Sequence, residues 1–317
     1  MPFNKDIFND LLCPNCLSKL IEAEKIFKCQ NSNCFKEFPV VDGIPILIDE
    51  SKSIFHISDF LDKQTTTFDL QENNIKTLIK NIIPSISINI KAKSNYNRLL
   101  TLLLKNNRQV KVLVIGGSIL GEGIEEFIKE PKLTLVESDV SFGPRTKIIF
   151  DAHSIPFPND YFDCVILQAV LEHVVDPYQC IREVHRVLKK EALVYAETPF
   201  IQQVHMGKFD FHRFTHLGHR RLFREFSEIE SGAVCGSGMA LAWAYSHFIF
   251  SFFKSKKAKG LLIPFTRFTS FFWKYFDYLT INTPGTLDSA SGYYFMGRKS
   301  DNVLGDRELL KQYRGLF

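Results

Sequence analysis

From Lys111 onward the sequence alternates between short apolar runs and helical stretches, and this alternation constrains the fold more than any other feature. Lys111–Ile115 reads as a buried strand that ends at Gly116-Gly117. Leu133–Glu137 reads as a second strand, and Ile148–Phe150 as the end of a third that stops at Asp151. Phe162–Leu167 reads as a fourth and Ala192–Ala196 as a fifth. Between these two, Pro177–Lys190 has helical spacing, with proline at its start and Ile181, Val184, Val187 and Leu188 on one face. Gly121-Glu122-Gly123 is expected to open a helix after the first strand. Strands alternating with helices imply parallel βαβ units, so the expected fold class is α/β with a Rossmann-like, doubly wound sheet.

The N-terminal unit is of another kind. Four of the seven cysteines cluster as Cys13-x2-Cys16, twelve residues, then Cys29-x4-Cys34. Two short-spaced pairs supply the four soft ligands of a tetrahedral zinc site, with no position left for a reactive water, so the metal role is structural. The odd total of cysteines and the single tight cluster argue against a secreted disulfide framework. Asp42-Gly43 between β-branched runs signals a turn. The segment Cys13–Ile48, above all its ending FPVVDGIPIL, resembles the small zinc-ribbon proteins that activate tRNA and translation-factor methyltransferases. It also resembles the ribbon at the front of some ribosomal RNA guanine methyltransferases. Charge bears on the RNA reading: residues 1–50 hold five lysines against eight acids, a net of −3. An acidic ribbon is a poor phosphate binder, so nucleic acid is disfavoured and packing or partner binding is preferred.

In a Rossmann-like sheet the cofactor binds at the carboxyl ends of the strands. Three features fall there: the loop Gly116-Gly117-Ser118-Ile119-Leu120-Gly121, the carboxylate of Glu137, and the block DAHSIPFP from Asp151 to Pro158. Val112–Pro199 resembles class I methyltransferases of the type-11 group. The resemblance rests on that block, on FDCVI (162–166), on LEHV (171–174) with Asp176-Pro177, and on EVHRVLK (183–189). It implies a seven-strand-type methyltransferase sheet and S-adenosylmethionine held by Gly116, Gly117, Gly121, Glu137, Asp151, Ala152 and Gln168. Two features depart from the family: Val114 stands where an acid is frequent, and the glycine loop is Gly-Gly-x-x-x-Gly-x-Gly. The loop alone would also suit a nicotinamide enzyme.

Methyl transfer from a sulfonium needs alignment and sometimes a base. After the fifth strand the chain carries His205, Asp210, His212, Arg213, His216 and His219, a titratable cluster near neutral pH. This region looks like methyltransferases of bacterial surface-polysaccharide synthesis, which points to O-methylation of a sugar or glycan. Candidate catalytic residues are His205, Asp210, His212, Arg213 and, after the fourth strand, His173. RNA base methylation and a non-catalytic, cofactor-binding adaptor are the alternatives.

The C-terminal third is dense in aromatic residues, and Ala240–Phe317 carries eleven bases against five acids, a net of +6. A helical cover or an oligomer interface is the preferred reading, with membrane-surface contact and a lipid-linked acceptor left open. Ser231–Phe253 lacks charged residues but is too glycine-rich for a confident membrane span, and reads as a strand followed by a helix. The N-terminus has no basic region followed by an apolar run, so no signal peptide is expected and a cytoplasmic location is, with peripheral membrane attachment left open. The expected organisation is a ribbon at 1–50, a linker and helical lead-in at 51–109, a methyltransferase domain at 110–300 with a helical insertion at about 240–285, and a tail at 301–317.

Overall fold

Short strands around the cysteine knuckles open the chain: β1 (Leu20–Ala23), β2 (Ile26–Cys29), β3 (Glu37–Val41) and β4 (Ile44–Leu47). The structure, a computed structural model, describes residues 5–62, 82–106 and 108–317. The β3–β4 hairpin turns on Asp42 and Gly43, with φ of 51° and 79°, as a two-residue turn of matching twist requires.

The main sheet adds β5 (Val110–Ile115), β6 (Leu133–Asp139), β7 (Ile148–Phe150), β8 (Phe162–Gln168), β9 (Leu188–Pro199), β10 (Phe226–Cys235) and β11 (Gly292–Lys299). The strand order is β1-β2-β3-β4-β7-β6-β5-β8-β9-β11-β10. From β4 to β9 neighbours run parallel, whereas β11 runs antiparallel to both β9 and β10. β5 and β8 are buried almost throughout, which is why they read as unbroken apolar runs.

The ribbon is not a separate body. Its last strand joins the catalytic sheet, with Ile46 opposite Ile149 and Leu47 opposite Phe150. Its Phe27 and Phe38 share one core with Leu113, Phe157 and Phe162. Of the segment expected as a linker, the part just after the ribbon is packed: α1 (Ile57–Leu61) brings Phe60, with Phe55, against Ile46, Ile48 and Ile149. Residues 63–81 of that segment lie outside the described residues.

The helical lead-in is α2 (Ala92–Leu103), whose Tyr96 and Leu99 pack with Val112, Val114 and Phe127. This accounts for one departure from expectation. No α-helix follows Gly121-Glu122-Gly123; the chain turns there and forms only a 3-10 stretch at Phe127–Lys129. α2 covers the sheet face that such a helix would take. The crossover helix α3 (Pro177–Val187) forms as expected, with Asp176 capping the amide of Gln179 at 3.0 Å and Pro177 in the first turn. It ends three residues early, because the amides of Asp160 and Tyr161 take the carbonyls of Arg186 and Val187 and Leu188 already pairs in β9.

Beyond β9 come α4 (His216–Leu222), then α5 (Ser237–Ser251) and α6 (Lys256–Ser270). The uncharged stretch is thus a strand followed by a helix. Among the described residues no helix is long and apolar enough to cross a membrane.

Candidate active site

The four knuckle cysteines converge. Cys13 and Cys34 sulfurs lie 3.8 Å apart and Cys16 and Cys29 sulfurs 3.5 Å apart, and all four lie within 4.8 Å of one another. No disulfide joins them. Zinc–sulfur bonds near 2.3 Å place tetrahedral sulfurs about 3.8 Å apart, so the arrangement fits the ion. Asn31 amide and Asn15 Nδ2 each donate to a ligand sulfur at 3.4 Å, as thiolates favour.

At the carboxyl ends of the parallel strands three clefts meet. The first, of about 710 Å³, is walled by Gly116, Asp139, Asp151, Ala152, Val170 and His173, with Phe55 from the N-terminal unit. Its volume and mostly apolar walls suit a nucleoside. The second, of about 740 Å³, is lined by Asn89, Gln168, Glu172, Glu197, Thr198 and His205. A third lies over the glycine loop, with Gly117, Gly121, Glu137 and Gln168 on its wall. Gln168 closes over the loop so tightly that a Cβ on Gly121 would fall 1.7 Å from its side-chain oxygen, so any larger residue here would displace Gln168.

Gln168 is held from all sides. Its oxygen accepts from Tyr96 Oη at 3.0 Å, and its amide nitrogen donates to the Glu122 carbonyl and to Glu197, both at 3.0 Å. Glu197 also accepts from Asn89 and from Tyr195, so this fully buried carboxylate is well compensated.

Asp151 stands where the ribbon meets the first cleft. Its carboxylate accepts from the amide and ring of His153 and, at 2.6 Å, from Ser53 just beyond the ribbon. Burial would raise its pKa, but His153 and Ser53 together hold it below the ordinary carboxylate value. Burial works against the charge of His153 too, and Asp151 overcomes it and raises the imidazole. The same loop grips the knuckle itself. Ser154 Oγ donates to the Pro14 carbonyl, and the Leu12 amide donates to Pro156 O at 3.0 Å.

On the second cleft, Glu172 is 1 % exposed and neither of its oxygens has a hydrogen-bond partner. Complete burial pushes it up to about 8, against the pull of its own backbone amide and of Arg213. His173 Nε2 lies 3.6 Å and His205 Nε2 3.9 Å from Glu172 Oε1. Burial pushes His173 down to about 4 and also lowers His205. Asp210 sits behind His205. Burial alone would raise it, but Arg213 and the His205 amide bring it down to about 2.

The sequence-derived candidates therefore separate. Gly116, Asp151 and Ala152 wall the first cleft, and Gly117, Gly121 and Gln168 wall the third. His173 and His205 come together, with ring centroids 4.9 Å apart. Asp210 and Arg213 pair with each other and orient the loop that carries His205. Two of the expected residues stand apart from these. Glu137 lies level with Val114 and walls the third cleft but not the first, and its carboxylate accepts from Arg145 at 2.6 Å. Asp139, one strand repeat closer to the carboxyl end, is the residue on the cleft wall. His212 points away from the clefts, with its ring nitrogen 3.1 Å from the Val175 carbonyl and its ring stacked on Phe214. His216 and His219 are buried beneath this loop and serve the core. Sequence reasoning missed Asp139, Glu172, Glu197 and Ser53. Only Glu172, inside the Leu-Glu-His-Val segment, lay in a motif that could have raised it.

A family model described as a methyltransferase domain matches residues 125–196. No curated protein matches the sequence. Among solved structures, an O-methyltransferase from a polyketide multienzyme of Brevibacillus brevis, bound to S-adenosyl-L-homocysteine, is 14% identical. Its TM-score is 0.44, over 69% of this chain and 76% of its own. Phosphoethanolamine N-methyltransferase 2 of Haemonchus contortus, with S-adenosyl-L-methionine, is 16% identical with a TM-score of 0.43, over 81% of this chain and 62% of its own. The family match spans β6, β7, β8 and most of β9 with the helix α3 before β9, which supply much of the wall of the first cleft. Set in a sheet whose antiparallel β11 is inserted before its edge strand, the matched stretch is similar to a methyltransferase domain and supports an S-adenosylmethionine-dependent methyltransferase activity.

Proposed function

We propose that the enzyme methylates a hydroxyl of a sugar or glycan acceptor. One observation carries this reading: the second cleft is lined by Asn89, Glu122, Gln168, Glu172, Glu197, Thr198, Gln202 and His205 and, among the described residues, by no lysine or arginine. Such walls present many hydrogen-bonding groups to a polyhydroxylated molecule, and their carboxylates repel a phosphate backbone. S-adenosylmethionine would supply the methyl group on a sulfonium. Asp151 and the Ala152 backbone would receive the adenine, Asp139 the ribose, and the glycine loop under Gln168 the methionine end. The acceptor hydroxyl would enter beside Glu172 and His205, which are placed to orient it. Four-cysteine zinc would hold the ribbon against the Asp151 loop.

The test is transfer of a radiolabelled methyl group from S-adenosylmethionine into a panel of glycans and, separately, transfer RNA and ribosomal RNA. Label is expected in a base-stable ether on a carbohydrate. Label in RNA, with binding that weakens steeply with salt, would replace this reading with nucleic-acid methylation.

The C-terminal helices add a location for the acceptor. Phe252 is 68 %, Leu261 82 % and Leu279 80 % exposed, in a segment that also exposes Phe248, Phe265 and Tyr278 beside Lys254, Lys257 and Lys259. Exposed apolar and basic groups within one segment suit an anionic membrane interface, and thus a lipid-linked acceptor. The protein is expected to sediment with vesicles rich in phosphatidylglycerol and to release as salt rises. No vesicle binding, together with a dimer in light scattering, would assign the surface to a second copy of the chain instead.

A further inference from the structure

Two imidazole nitrogens and one carboxyl group converge on one point beside the second cleft, and no other side chain donates to them there. His173 Nδ1 lies 2.7 Å from the Phe209 carbonyl, which accepts its proton. Its Nε2 is therefore the lone-pair nitrogen, and it faces Glu172. His205 Nδ1 lies 3.3 Å from the Gln203 carbonyl and 3.5 Å from Asp210 Oδ2. Its proton is drawn to that side, and its Nε2 lone pair also faces Glu172. The carboxylate at the focus is fully buried and has no hydrogen-bond partner for either oxygen.

Such groups pack together in a low-dielectric site only with a proton or a cation among them. The protein's own cation does not fill the gap. Arg213 donates to Asp210 and to the carbonyls of Gln202, Gln203 and His212, and has no contact left for Glu172. The partners behind the two histidines, a carbonyl for one and a carbonyl with a carboxylate for the other, are those that fix metal-binding imidazoles.

We infer that Glu172, His173 and His205 form a second metal site, distinct from the cysteine site, that takes a first-row divalent cation. The three ligand atoms lie within 4.8 Å of one another. Metal bonds near 2.1 Å bring ligand atoms to about 3 Å, so closure needs only small side-chain shifts. Two nitrogens and one carboxylate suit manganese, iron, cobalt or zinc over magnesium or calcium. The three leave coordination positions open toward the cleft, where Glu172 and His205 lie on the wall.

Its use rests on the methyl-transfer reading; its existence does not. An acceptor hydroxyl bound to the ion becomes more acidic and loses its proton to water in the cleft mouth. The oxygen electron pair then forms the O–CH3 bond as the S–CH3 bond breaks and its pair returns to sulfur.

The test uses the full-length protein, freed of metal and titrated with Co(II) alone. Two equivalents are expected: one with intense sulfur-to-metal charge-transfer absorption from the cysteines, one with only weak d–d bands from nitrogen and oxygen ligands. Glu172→Gln and His205→Asn should each lose the second equivalent and keep the first, which reports an intact ribbon in the same sample. If the wild type takes one equivalent only, the buried carboxylate holds a proton and the proposal fails. It fails equally if both variants still take two. In neither case is the methyltransferase assignment touched, since cofactor binding is measured separately by calorimetry.

Discussion

Withholding zinc, the ion that the four-cysteine knuckle fits, is expected to remove cofactor binding. The chain of contacts is short. Pro14, between two ligand cysteines, accepts from Ser154, and Leu12 bonds Pro156 at 3.0 Å. The ribbon strand β4 pairs with β7, and Ser53, six residues beyond it, holds Asp151 at 2.6 Å. Phe55 then walls the first cleft, the one proposed for the nucleoside. Structural zinc in small modules contributes on the order of 10 kcal/mol to folding, and here part of that folding is the floor and wall of the cofactor site. Chelation, or Cys16→Ser, should lower the affinity for S-adenosylhomocysteine at least roughly tenfold, about 1.4 kcal/mol, and lower the melting temperature. Calorimetry on chelated protein that retains its helical circular dichroism makes the measurement. Unchanged affinity in folded, metal-free protein would mean that the ribbon only packs on the enzyme. Cys235→Ser is the control, because Cys235 lies outside the sulfur cluster.

The same contacts show what a single sequence could and could not express. The parallel strands were legible because burial on both faces leaves continuous apolar runs, as in Val112–Ile115 and Phe162–Leu167. The cysteine pairs were legible because metal geometry restricts spacing. The joining of β4 to β7 was not, since Ile44–Leu47 looks the same whether it ends a ribbon or extends a sheet. The helix expected after Gly123 reflects a template in which glycines precede a helix; α2, arriving from upstream, already covers that face. Histidines in a loop are equally visible wherever they point, so His205 and His212 were indistinguishable by spacing. Only the fold shows that Asp210 braces one and Phe214 stacks on the other. Glu172 was missed for a related reason. A glutamate after a strand reads as a solvated charge until the loop that buries it, Phe209–Arg213, is placed over it.

Asp139→Asn is expected to weaken cofactor binding on the order of a hundredfold, and Glu137→Ala by only a few-fold, since two hydrogen bonds to a charged acceptor contribute about 1.5–3 kcal/mol each. Both residues point to the same side of β6, two positions apart, so sequence periodicity cannot rank them. Depth does. Glu137 is level with Val114, inside the strand, and is neutralised by Arg145. Asp139 is the last residue of its strand and shares the cleft wall with Gly116, Asp151 and Ala152. Its Oδ2 takes the Ser118 amide at 3.2 Å, which ties it to the glycine loop. Burial raises its pKa against the pull of Ser118, so the carboxylate gains from new donors, and the two hydroxyls of a ribose are such donors. The asparagine variant keeps the shape and one acceptor, which separates loss of charge from loss of fold. Calorimetric titration of both variants with S-adenosylhomocysteine decides the matter. A strong loss in Glu137→Ala with Asp139→Asn near wild type would return the ribose to Glu137. It would also require the Arg145 side chain, which is 28 % exposed, to swing away when the cofactor enters.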